Sequence, residues 1–87
     1  MSKGFEELLS FPTVFIYRII ADASGMIQDD CEKALCEVFD RIESSEKLPS
    51  KSGKFVRIHI AVTALDSPQI YKGYDALKDI QGIRMVF

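Results

Sequence analysis

The ten residues FVRIHIAVTA, positions 55–64, decide how the rest of the chain is read. Val56, Ile58, Ile60 and Val62 alternate with Phe55, Arg57, His59, Ala61 and Thr63. Period-two alternation, with β-branched residues on one side and charge on the other, is the pattern of a strand with one buried face and one open face. On a helix the same apolar residues would scatter around the axis. The chain therefore contains a sheet, and other elements must cover its apolar side.

Downstream, Asp66-Ser67-Pro68 combines an N-cap residue with a proline in the first turn, which starts a helix. Ile70, Tyr74 and Leu77 give that helix, over 68–79, its apolar stripe. Gly82 ends the connection, and IRMVF (83–87) predicts a last strand, with Ile83, Met85 and Phe87 inward and Arg84 and Val86 outward.

Upstream, TVFIYRIIA (13–21) is β-branched and aromatic and apolar on both faces, as a central strand is. Phe15, Tyr17 and Ile19 are assigned inward, since the other row would bury Arg18. Residues 3–10 predict a short helix or turn, with Phe5, Leu8 and Leu9 on one face, stopped by Phe11-Pro12. Between the two long strands, Ile27, Cys31, Ala34, Leu35, Val38, Phe39 and Ile42 form a stripe of period 3.6, which predicts a helix over 26–42. Asp29 and Asp30 suit its first turn. Cys36 follows Cys31 by five residues, about 140° around a helix, so the two thiols diverge. ESSEKLPSKSGK (43–54) predicts a loop, with a short edge strand around 47–50 blunted by lysine and proline.

The element order is strand, helix, weak strand, strand, helix, strand. That is the βαββαβ order of the ferredoxin-like α+β sandwich, an antiparallel sheet of order 4-1-3-2 with both helices on one face. Eighty-seven residues make one domain, 1–87. The sheet face away from the helices is then bare. It is expected to carry Ile16, Arg18, Phe55, Arg57, His59 and Arg84, with Val14, Ile20, Ala61, Thr63 and Val86 among them.

Composition narrows the function classes. The net charge of −2 disfavours a domain that grips phosphate backbones. No apolar run reaches the ~18 residues of a membrane span, and Glu6 and Glu7 break any signal-peptide core, so a cytoplasmic protein without a membrane role is expected. His59 is the single histidine and has no nucleophile beside it on its face. One histidine and two diverging cysteines do not make a zinc site. Acylphosphatases share this fold and use an asparagine and a glycine-rich phosphate loop, but this chain has no asparagine and 22–25 form no such loop. The expectation is a non-enzyme with no catalytic residue, metal or cofactor.

Two candidate sites remain. The bare face mixes apolar residues with three arginines and a histidine, a composition suited to a protein partner, a homodimer or an anion, against the plain alternative of a solvated sheet face. Single-stranded RNA is the rival occupant, because KSGKFVRI (51–58) faintly echoes an RNA-recognition strand, although Gly53 stands where an aromatic ring would stack. The second candidate is the loop Asp22, Ser24, Gly25 and Met26. Asp-x-x-Gly-x-aliphatic between a strand and a helix resembles the first turn of ACT domains, which implies amino-acid binding there. Its plain alternative is a helix cap by Ser24 or Asp22.

Three stretches together resemble the YbeD family of small bacterial proteins: LLSFPT (8–13) with Phe15 and Tyr17, PSKSGKF (49–55), and IRMVF (83–87). Tyr74 and Leu77 also fit. The resemblance spans nearly the whole chain and implies an ACT-like, ferredoxin-like fold and a regulatory role without catalytic residues. The segment before Pro49 is shorter than the family pattern, which leaves the second strand open.

Overall fold

The structure, a computed structural model, describes residues 10–87; the helix or turn expected over 3–10 lies outside them except for Ser10. Its elements are β1 (Thr13–Asp22), α1 (Ile27–Cys36), β2 (Ile42–Pro49), β3 (Phe55–Ala64), α2 (Ser67–Lys78) and β4 (Ile83–Val86). The two β-branched stretches pair antiparallel along their full length, from Thr13 opposite Ala64 to Asp22 opposite Phe55. β2 extends the sheet beyond β3 and β4 extends it beyond β1, in the order β2-β3-β1-β4. The architecture is the ferredoxin-like α+β sandwich expected from the element order.

The inward rows are those read from the alternation. Tyr17 and Ile19 of β1 and Ile58, Ile60 and Val62 of β3 are buried against Ile27, Cys31 and Leu35 of α1 and Ile70 and Leu77 of α2. Each fully buried aliphatic side chain contributes about 1.5–3 kcal/mol. Tyr17 brings a polar atom into this core, and its hydroxyl donates to the Ile70 carbonyl at 2.7 Å. Burial pushes the phenol far above its ordinary pKa, and the neighbouring Tyr74 adds to the shift. The ring also lies edge-on to Phe15, Phe39 and Tyr74. α2 passes close enough only because position 73 is glycine: a Cβ there would overlap the Tyr17 hydroxyl and lie 2.6 Å from Cζ.

α2 starts where Asp66-Ser67-Pro68 indicated. Asp66 is the N-cap, and its carboxylate accepts from the Gln69 amide at 2.9 Å. Gly82 has φ +97°, a left-handed conformation that turns the chain into β4.

α1 and β2 differ from expectation. α1 ends at Cys36 rather than 42, and 42–49 form a full edge strand rather than a loop with a short strand at 47–50. Residues 37–45 are rich in β-branched, Asp and Ser residues, which hold a helix weakly. Pairing with β3 satisfies their backbone instead, with Ile42 opposite Val62 and Ser45 opposite Ile60. Val38, Phe39 and Ile42 still pack on the core, so their helical spacing reported burial correctly and conformation incorrectly. The Gln28 amide of α1 donates to the Ser45 hydroxyl at 2.8 Å and ties helix to edge strand.

Candidate interaction face

The register fixes which side chains share the uncovered face. Across β3 and β1, Thr63 stands beside Val14, Ala61 beside Ile16, His59 beside Arg18, and Arg57 beside Ile20. β2 adds Ser44 beside Ala61, Glu46 beside His59 and Leu48 beside Arg57. Ile16, Arg18, Phe55 and Arg57 are exposed there, and His59 is half-buried.

β4 corrects the sequence reading. Ile83 faces Ala21, but Met85 faces Ile20 and Val86 faces Ile19, so Arg84 is an extra residue in the ladder. Such a bulge shifts the side-chain alternation by one from that point on. Val86, expected outward, packs on the core. Met85 and Phe87, expected inward, are 54% and 51% exposed. Phe87 exchanges both backbone hydrogen bonds with Arg18, at 2.7 and 2.8 Å, which sets it on the row Glu46, His59, Arg18, Phe87. The strand string IRMVF carries no mark of the bulge, so these two residues were not legible in it.

The bulge also gives Arg84 a partner. Its guanidinium grips Asp22 with two hydrogen bonds, Nε to Oδ1 at 2.7 Å and Nη2 to Oδ2 at 3.0 Å. These bonds raise the arginine's pKa above its usual value. Arg84 is thus at the margin of the face with its charge matched, and the same contact engages the first residue of the candidate ligand loop.

The rest of that loop does not converge. The Ser24 hydroxyl accepts a long bond from the Met26 amide, 3.4 Å, and Gly25 is exposed with a φ that any residue adopts. Met26 occupies the N-cap position of α1 and no side chain caps it, so the capping expected of Ser24 or Asp22 is not made. Asp29 and Asp30 lie in the first turn, where they oppose an anion. Cys31 is buried and Cys36 exposed, each a free thiol, as their angular separation required.

What the open face assembles is a shallow cleft of about 180 Å³, lined by Arg18, Ile20, Arg57, His59 and Phe87. Two guanidinium groups, an imidazole and an aromatic ring can bind and orient an anion with an apolar body. A second cleft, at the other end of the sheet, is a closed polar network: Glu43 accepts from Thr63 at 2.9 Å and from Arg41 at 3.3 Å, which lowers its pKa.

A family model described as "Protein of unknown function (DUF493)" matches residues 6–87. The chain belongs to the DUF493 family. Among its relatives, a UPF0250 protein of Erwinia tasmaniensis is 31% identical over 90 residues, covering 99% of each chain. One of Shewanella sediminis is also 31% identical over 90 residues, covering 99% of this chain and 98% of the relative. This agrees with the YbeD-like resemblance of the sequence motifs. Among solved structures, protein HP0495 from H. pylori has a TM-score of 0.72 at 14% identity and covers 100% of this chain and 93% of its own. Uncharacterized protein TM1266 from Thermotoga maritima has a TM-score of 0.62 at 16% identity and covers 85% and 92%. At these identities the DUF493 chain shares a fold with both.

Proposed function

We propose that this DUF493 domain is a non-enzymatic regulatory or interaction module that binds a protein partner through its open sheet face. One observation carries the reading: Val14, Ile16, Phe55, Met85 and Phe87 are all exposed, and all project from the sheet side that no helix covers. Large apolar side chains gathered in solvent on one face, with charges among them, are the composition of an interaction surface. The partner is a different chain rather than a second copy. A two-fold homodimer centred on the cleft would set Arg18 and Arg57 against their own equivalents, and like charges oppose such an interface. Among the described residues no helix is long and apolar enough to cross a membrane. The loop at Asp22, Ser24, Gly25 and Met26 is the weaker candidate, because Asp22 already serves Arg84.

Single-stranded RNA is a second reading with one observation in its favour, the exposed Phe87 ring beside Arg18. Against it, the outward residues of the central strand β1 are Val14, Ile16, Arg18 and Ile20, with no ring to stack a base.

Site-specific photo-crosslinking in cells tests the proposal. A benzophenone amino acid at Ile16 is expected to give a discrete protein adduct, and one at Tyr71, exposed on α2, is not. Adducts from Tyr71 alone, or from neither position, refute the open face as the docking surface. An adduct of twice the chain's mass would make the partner a second copy.

A further inference from the structure

The chain has four arginines, and their pairing divides by location. Arg41 and Arg84 each hold a carboxylate, Glu43 at 3.3 Å and Asp22 at 2.7 Å. Arg18 and Arg57, the two in the open-face cleft, have no ion pair among the described residues. They are diagonal neighbours on adjacent strands, since Arg18 stands opposite His59 and Arg57 two residues earlier stands opposite Ile20. Like charges this close on one face are mutually unfavourable, and an incoming anion relieves them. Two acids flank these arginines, Glu46 opposite His59 and Asp22 opposite Phe55; Asp22 is held by Arg84, and neither acid is within ion-pair distance of Arg18 or Arg57.

The cleft's size selects among anions. Its volume of about 180 Å³ falls below the roughly 300–1,000 Å³ of sites that enclose whole cofactors or drug-sized ligands. It matches one side chain. Around it the exposed apolar residues Ile16, Phe55 and Met85 extend the contact surface well past the cleft, which suits a chain laid across the sheet better than a free small acid. A carboxylate is the planar anion that a guanidinium fork meets with two parallel hydrogen bonds.

We propose that the cleft receives an aspartate or glutamate side chain of the partner, clamped by Arg18 and Arg57, with flanking apolar residues of the same segment resting on Ile16, Phe55 and Met85. This inference rests on the reading of the open face as a protein-docking surface and adds the chemistry of its partner: an acidic segment with apolar neighbours.

Selection from a random-heptapeptide phage library against the whole domain tests it. Enriched peptides are expected to carry Asp or Glu next to large apolar residues. Replacing that acid by its amide should weaken binding about tenfold or more, the scale of losing a hydrogen bond to a charged group. Arg18→Gln and Arg57→Gln should each cost the acidic peptide a similar factor and leave its amide version unchanged. Enrichment of apolar peptides without acids, abolished by Ile16→Asp, would overturn the carboxylate clamp while keeping the docking face. Enrichment insensitive to Ile16→Asp, or no enrichment, would overturn both. Tighter binding of a ten-nucleotide oligouridine than of any selected peptide, at physiological salt, would overturn the clamp in favour of RNA.

Discussion

Replacing Gly73 by alanine tests how β1 and α2 are packed. In an exposed helix interior the change gains about 1 kcal/mol, because alanine restricts the unfolded chain and forms helix better. Here the added methyl overlaps the Tyr17 hydroxyl, lies 2.6 Å from the ring carbon that bears it and comes within 3.2 Å of Phe39. Overpacking a rigid core costs about 1–3 kcal/mol. Displacing the Tyr17 ring also breaks its buried hydrogen bond to Ile70, worth about 1 kcal/mol more. After the propensity gain, Gly73→Ala should destabilise by about 1–3 kcal/mol. With a urea m-value of about 1 kcal/mol/M, the midpoint should fall by about 1–3 M. Tyr17→Phe removes the nearest clashing atom, so in that background Gly73→Ala should cost less, by about 0.5 kcal/mol or more. A Gly73→Ala protein as stable as the parent, or more stable, would refute the close approach of α2 to Tyr17.

Other expectations follow from the same contacts. Cys36 should react with a thiol reagent in the native state and Cys31 only on unfolding, so native and denatured titrations should count one and two thiols. Burial, with the nearby carboxylates of Asp30 and Glu32, pushes the Cys31 thiol from 9.0 to about 12. The folded chain then keeps a proton that the unfolded chain loses, so stability is full below pH 9.0 and declines as pH rises toward about 12, by up to about 1.4 kcal/mol per pH unit. Cys31→Ala in a Cys36→Ser background should remove the thiol's share of that slope, seen most clearly between pH 9.0 and 10.0, above which the raised Tyr17 phenol keeps a share of its own. Asp66→Ala should lower stability by about 1 kcal/mol through loss of the α2 cap, read from thermal melts. Arg84→Ala, at an exposed pair, should cost less stability than Asp66→Ala and lose more of its effect at high salt.

Much of this structure was legible because burial repeats with a period. FVRIHIAVTA (55–64) showed which row of β3 lies inward, and Arg18 showed the same for β1. Asp66-Ser67-Pro68 marked the start of α2 through chemistry local to three residues. The misreadings came where local pattern and long-range pairing compete. Val38, Phe39 and Ile42 keep helical spacing, yet the open edge of β3 draws the chain into β2 before that helix can continue. In β4 one unpaired residue, Arg84, reverses the sides of Met85, Val86 and Phe87. The bulged Arg84 bonds an aspartate 62 positions away, and the bulge leaves no local mark in the string. It also decides the candidate site, since it brings Phe87 to the cleft and removes Arg84 from the unpaired cations.

Methionine methyl NMR tests the central claim, that recognition occurs on the open sheet face. Met85 lies on that face at 54% exposure and Met26 in the alternative ligand loop at 56%, so the two report on rival sites with equal solvent access. With methyl-labelled protein in an extract of the cells that make it, the Met85 signal should shift or broaden while Met26 stays unchanged. A response confined to Met26, with Met85 unmoved, would contradict the account.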